Sequence, residues 1–140
     1  MSKVAIVFWS ATGNTETMAN CIAEGAGAAA AIVPCGGMDA AKLGEYDVVA
    51  FGCPAMGAEQ LEESEFEPMF ASLEGSLNGK KVALFGSYGW GDGEWMREWE
   101  SRMLDAGANV LNREGLICHE TPDDDALEDC RSLGKQLASV

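Results

Sequence analysis

Five short apolar runs, each followed by a stretch of helical periodicity, constrain this chain more than any other feature. Four are KVAIVF (3–8), AAIVPC (30–35), YDVVAFGCP (46–54) and KKVALFGSYGW (80–90); the fifth spans 109–118, with an interruption near 113–115. Between and after them lie patterns of period 3.6. Met18 and Ile22 share a face of a helix over 14–28, and a short helical turn covers 38–43. Phe66, Met69, Phe70 and Leu73 fall at i, i+3, i+4, i+7. Met96, Trp99 and Met103 mark a helix over 94–106, and Leu127, Cys130, Leu133 and Leu137 mark the last one. Continuous apolar strands separated by helices predict a parallel sheet covered on both faces. Right-handed crossovers make it an α/β doubly wound five-stranded sheet of order 2-1-3-4-5, with helices on both faces. The 140 residues suit one domain. Two helix starts are also predicted: a capping box from Ser64 to Glu67, and Thr121-Pro122-Asp123 with proline in the first helical position.

Ligands of such sheets bind outside the carboxyl ends of the strands, at the switch point between strands one and three. That directs attention to the loops 9–15, 53–63 and 87–93. The first, within FWSATGNTE (8–16), offers hydroxyls from Ser10, Thr12 and Thr15 and amides around Gly13 and Asn14 at a helix N-terminus. It suits a single phosphate, or it is simply an N-capped turn in which Thr12 or Asn14 holds the helix. It has neither the lysine of a Walker loop nor the glycine spacing of a dinucleotide fingerprint. The second loop, CPAMGAEQLEE, supplies Met56 as a polarizable platform, Gly57 as a permissive backbone, and Glu59 as an acceptor or a solvated acid. The third, GSYGWGDGEW, carries Tyr88 and Trp90 among glycines; Trp90 stacks on a flat ligand or on a neighbouring helix. For Trp95 and Trp99, packing is the favoured reading.

The charge of −14, from 23 acidic and 9 basic residues, weighs against nucleic acid and anionic membranes as partners. It favours basic protein surfaces or serves solubility. No apolar run reaches 18 residues and no secretory leader is evident, so a soluble cytoplasmic protein is expected. The five cysteines lack metal spacing and read as buried thiols in a reducing compartment. His119 is the only histidine; it lies outside the three loops and reads as structural or surface, so metal-free carriage rather than acid–base catalysis is expected.

A phosphate anchor, two platforms for a flat ring and a permissive glycine describe a mononucleotide with a large ring system. WSATGNTE, GCPAMGAE, EFEP and LFGSYGWGDGEWM together resemble the short-chain flavodoxins, particularly those of anaerobic bacteria, over essentially the whole chain. The long-chain insertion in the fifth strand is absent. The resemblance implies a flavodoxin-like fold, one non-covalent FMN, and low-potential one-electron transfer between semiquinone and hydroquinone. It implies an electron carrier without catalytic residues or metal. It places Ser10, Thr12, Gly13, Asn14 and Thr15 at the phosphate, with Ala11 beside them, and counts Pro54, Ala55, Met56, Gly57, Ala58 and Glu59 of the second loop as cofactor-binding, Pro54 standing where some relatives have a serine at the phosphate. Ser87, Tyr88, Gly89, Trp90 and Gly91 form the third contact, with Met56 and Trp90 sandwiching the ring and Glu59 at its pyrimidine edge. The resemblance also implies that, as in relatives, the Gly57 peptide turns its carbonyl toward N5–H on reduction. Ala11, Pro54 and Ala58 depart from residues common in relatives.

The implied partners are redox proteins with basic docking surfaces: ferredoxin-type donors and acceptors, and flavoprotein reductases, met as a monomer. Glu59, Glu62, Glu63, Glu65, Glu67 and Glu74 lie between 54 and 79 without a basic residue; Asp92, Glu94, Glu120 and Asp123 to Asp125 extend the same acidic end. One such charge at about 12 Å and effective dielectric about 40 opposes a flavin anion by roughly 0.7 kcal/mol, about 30 mV per electron. The alternative on the same fold is an NAD(P)H-dependent flavin or quinone reductase, disfavoured by the short chain and by Trp90. A receiver domain needs acids where Trp9-Ser10 and Cys53-Pro54 stand.

Overall fold

A computed structural model describes residues 2–11, 13–56, 60–89, 91–112 and 115–140. The strands are β1 (Val4–Phe8), β2 (Ala30–Pro34), β3 (Val48–Gly52), β4 (Lys81–Tyr88), β5 (Asn109–Val110) and β6 (Leu116–His119). The helices are α1 (Asn14–Ala26), α2 (Ala40–Leu43), α3 (Phe66–Leu73), α4 (Glu94–Asp105) and α5 (Asp124–Ala138). All pairings are parallel, in the order β2-β1-β3-β4-β5, with β6 also on β4. The expected 2-1-3-4-5 sheet is therefore present, its fifth position shared by β5 and β6.

The interruption has a chemical cause. Asn112 accepts from the Leu84 amide at 3.0 Å and donates its Nδ2 to the Leu84 carbonyl at 2.8 Å. One side-chain amide thus replaces a peptide unit in the ladder, satisfying backbone groups that would otherwise be buried unpaired. Beyond it, Tyr88 pairs with His119.

Alternate strand residues feed two cores. Ala5, Val7, Val49, Phe51, Val82 and Leu84 face α3 and α4, where Phe66 and Phe70 lie parallel to each other and both meet Trp99 edge-on. Val4, Ile6, Val48, Ala50, Ala83 and Phe85 face α1 and α5. Trp95 and Trp99 are each 1% exposed, so both pack in the core. α1 and α5 approach so closely that a Cβ on Gly134 would stand 2.0 Å from the Ile22 carbonyl oxygen.

Two predicted helix starts differ. α5 begins at Asp124, after Asp123, whose Oδ1 accepts from the Ala126 amide at 2.8 Å; Pro122 stands outside the helix. At α3 no Ser64–Glu67 capping box forms. Glu62 takes the role instead, and Glu67 pairs with Arg102 at 2.6 Å. A guanidinium from α4, which also holds Glu74 at 2.7 Å, outcompetes the local turn.

Candidate functional site

The carboxyl ends of β1, β3 and β4 stay joined beyond their last strand residues. Trp9 donates to the Gly52 carbonyl (3.1 Å), Cys53 to Phe85 (3.2 Å) and Ala55 to Ser87 (3.0 Å). These bonds bring the three loops around a cleft of ≈ 200 Å³. Its wall comprises Ser10, Ala11, Asn14 and Thr15 from the first loop, Pro54, Ala55 and Met56 from the second, and Ser87, Tyr88 and Gly89 from the third. Gly13 and Gly91 shape turns at φ 96° and 85° but do not line the cleft. The expectations for Thr12, Gly57, Ala58, Glu59 and Trp90 lie outside the described residues.

At the first loop, Ser10 Oγ accepts from the Gly13 amide (3.2 Å) and the Glu16 amide (3.3 Å). Ser10 thus caps this helix end; Thr12, one of the caps considered from the sequence, lies outside the described residues. The Asn14 and Thr15 amides have no partner among the described residues, and they stand at the positive end of α1. Thr15 Oγ1 and Ser87 Oγ are 3.2 Å apart and both residues are buried. Only one hydroxyl can donate to the other, so the second proton remains available to an acceptor in the cleft. No lysine or arginine is in the described wall.

Sequence reasoning passed over Glu120 as a wall residue, although it is the wall's one charged group among the described residues. Its left-handed backbone, φ 57°, lets its amide donate to the Tyr88 carbonyl at 2.7 Å. His119 also sits against the third loop rather than apart from it. Its Nε2 is 3.1 Å from the Gly89 carbonyl and its ring centroid 5.1 Å from that of Tyr88. Both placements follow from the β4–β6 register, which local sequence patterns do not encode.

The second loop is braced from behind. Met56 and Gln60 exchange backbone hydrogen bonds at 2.9 and 3.0 Å. Burial pushes the Cys53 thiol up to about 12, so it keeps its proton. It donates to the Pro54 carbonyl (3.5 Å) while Sγ accepts from the Glu62 amide (3.4 Å). Burial also pushes the Glu62 carboxyl up, but hydrogen bonds from the Ser64 hydroxyl and the Phe66, Ser64 and Glu65 amides outweigh it. They hold the group at about 2, against an ordinary 4.5. A depressed carboxyl stabilises the fold fully above its unfolded value and loses that contribution as pH falls through the folded value. Acid unfolding of the wild type between pH 4.5 and 2 should therefore take up one more proton than Glu62→Gln, read as a steeper decline of stability with falling pH by circular dichroism.

Residues 6–134 match the family model described as Flavodoxin.

The chain belongs to the flavodoxin family.

It is 46% identical over 138 residues to the flavodoxin of Clostridium beijerinckii, covering 96% of this chain and 99% of that one. It is 47% identical over 140 residues to that of Megasphaera elsdenii, covering 98% and 99%. The solution structure of two-electron reduced Megasphaera elsdenii flavodoxin superposes with a TM-score of 0.86 at 46% identity, covering 98% of this chain and 99% of that one. Flavodoxins are FMN-binding electron carriers, so the family reading favours electron transfer over a reductase on the same fold. Among the described residues no helix is long and apolar enough to cross a membrane.

Proposed function

We propose that this chain is a one-domain, low-potential electron carrier whose FMN sits in the cleft at the carboxyl ends of β1, β3 and β4. The observation that carries the reading is the cradle at α1, which has no cation among the described residues: the amides of Asn14 and Thr15, without partners among those residues, stand beside the buried Thr15–Ser87 hydroxyl pair. Such a cradle fits a phosphate monoester. Met56 and Tyr88, both half-buried in the same wall, fit the body of the molecule further along. Thr12, Gly57, Ala58, Glu59, Trp90, Gly13 and Gly91 complete the site by the family pattern. When bound, FMN supplies one-electron redox chemistry. The chain's own task is to hold the phosphate, orient the ring and set the surrounding charge.

That charge is sparser than the sequence suggests. Arg102 offsets one of the two charges of Glu67 and Glu74, and Arg97 holds Asp92 at 2.9 Å, while Glu62 is buried but ionised. Glu63 and Glu65 remain exposed, as do Glu120 and Asp123 to Asp125. Those acids disfavour an anionic reduced cofactor and attract basic redox partners to a cytoplasmic monomer. Electron exchange with a basic redox protein should slow as salt rises; a stopped-flow rate unchanged between low and high ionic strength counts against that docking.

The reading as a whole is tested by adding FMN to the apo protein and reducing it stepwise under a spectrophotometer. Stoichiometric uptake and two resolved one-electron steps are expected. A chain that takes up no FMN overturns the proposal, and bleaching by NADPH alone favours the reductase.

A further inference from the structure

The segment from Cys53 to Glu62 is fastened in three places. At its base the Glu62 amide bonds Cys53 Sγ, and halfway along Met56 and Gln60 pair. At its far end the Glu62 carboxylate binds the start of α3. Oε2 accepts from the Ser64 amide (2.8 Å) and the Ser64 hydroxyl, and Oε1 from the amides of Glu65 (2.7 Å) and Phe66 (2.9 Å). Phe66 is fully buried, with its ring 5.4 Å from that of Trp99, so the carboxylate is tied to an immobile part of the core. Glu62 itself is 5% exposed and does not line the cleft.

We propose that Glu62 is a positioning residue for the cofactor: it locks the 54–61 loop to the N-terminus of α3, so that Met56 keeps its place in the cleft wall. The inference rests on the FMN reading of that cleft. Its physical core is the donor count. Both carboxylate oxygens accept from N–H or O–H donors on the same short stretch, and a glutamine could satisfy one oxygen's share only. Its NH₂ would face donors, breaking one half of the clamp. A Ser64 cap, the arrangement the sequence pattern suggests, would anchor α3 without reaching back to the loop. The rival view is that Glu62 is one more negative charge near the flavin.

Three variants separate these views. Glu62→Gln breaks half of the clamp and removes the charge, and Glu62→Asp keeps the charge on a stem one methylene shorter. Glu63→Gln removes the neighbouring exposed charge only. For the FMN-loaded protein, Glu62→Gln should raise the FMN dissociation constant by about tenfold, the equivalent of one charge-assisted hydrogen bond. Glu62→Asp should raise it several-fold, and both should move the two one-electron potentials unequally. Glu63→Gln should shift the potentials by charge alone and leave affinity within about twofold. If Glu62→Asp behaves as wild type in affinity and both potentials, or Glu62→Gln merely tracks Glu63→Gln, the proposal is overturned. Should Glu62→Gln fail to fold, Glu62→Asp carries the test. Should the wild type take up no FMN, the cleft reading fails separately. Limited proteolysis of the apo chains between 54 and 61 then decides: faster cleavage in Glu62→Gln than in Glu63→Gln supports the clamp, and equal rates overturn it.

Discussion

Gly86→Ala is expected to destabilise the apo protein by about 3 kcal/mol and to weaken FMN binding by about tenfold or more, because the same atoms serve both. Gly86 lies in β4 opposite Ile117 of β6. A Cβ there would stand 2.3 Å from the Cys53 carbonyl oxygen and 3.1 Å from Trp95 Cζ2. That carbonyl is not free to move: it accepts from Trp95 Nε1 at 3.1 Å, and the Cys53 amide is bonded to Phe85. Relief therefore requires β3 and β4 to part at their carboxyl ends, where the cleft begins. Overpacking against backbone belongs at the upper end of the usual ~1–3 kcal/mol range. Gly134→Ala is the control. Its Cβ would meet the Ile22 carbonyl at 2.0 Å, a comparable clash between α1 and α5 away from the wall. It should lower stability similarly and leave FMN affinity nearly unchanged. Urea unfolding and quenching of FMN fluorescence measure the two quantities separately. If both variants lose affinity in proportion to stability, the coupling assigned to Gly86 is wrong.

What was legible in the sequence follows from the range of the forces involved. Val4 to Val7, Val48 to Gly52 and Val82 to Phe85 are buried on both faces, so an unbroken apolar run was a sufficient signal for a central parallel strand. Strand alternation with helices then set the order, and the order located the loops. The failures were competitions settled at long range. Ser64 and Glu67 satisfy a local capping pattern, but Arg102, 35 residues away, captures Glu67 and leaves the cap to Glu62. His119 and Glu120 reach the third loop through the β4–β6 register, beyond the point where Asn112 substitutes for a peptide in the ladder. Nothing within a few residues of either position announces this. The same range of forces trims the acidic run from 62 to 74, where Arg102 of another helix pairs with Glu67 and Glu74 and offsets one charge.

Thr15→Val should lower FMN affinity by about ten- to a hundredfold, the equivalent of one hydrogen bond to a charged group. Valine keeps the shape of the threonine in a position 1% exposed, so the loss would be chemical rather than steric. The hydroxyl lies 3.2 Å from that of Ser87, and either can donate to the other. Removing one leaves the other without its partner and removes a donor from the α1 end of the cleft. Riboflavin, which has the ring but no phosphate, discriminates between causes. If the cradle holds phosphate, Thr15→Val should leave riboflavin binding almost untouched, and the ratio of FMN to riboflavin affinity should collapse. Equal losses for both ligands would mean that Thr15 acts by bracing α1 against β4. No loss for either would place the phosphate elsewhere. The result also bears on the missing lysine. If the cradle holds the phosphate, then without a cation in the described wall the amides, hydroxyls and helix end do so, and each hydroxyl matters more than it would beside a lysine. The same absence leaves Glu120 as the charged group of the described wall, so a phosphate bound there would be held without a positive charge that eases reduction of the ring to an anion.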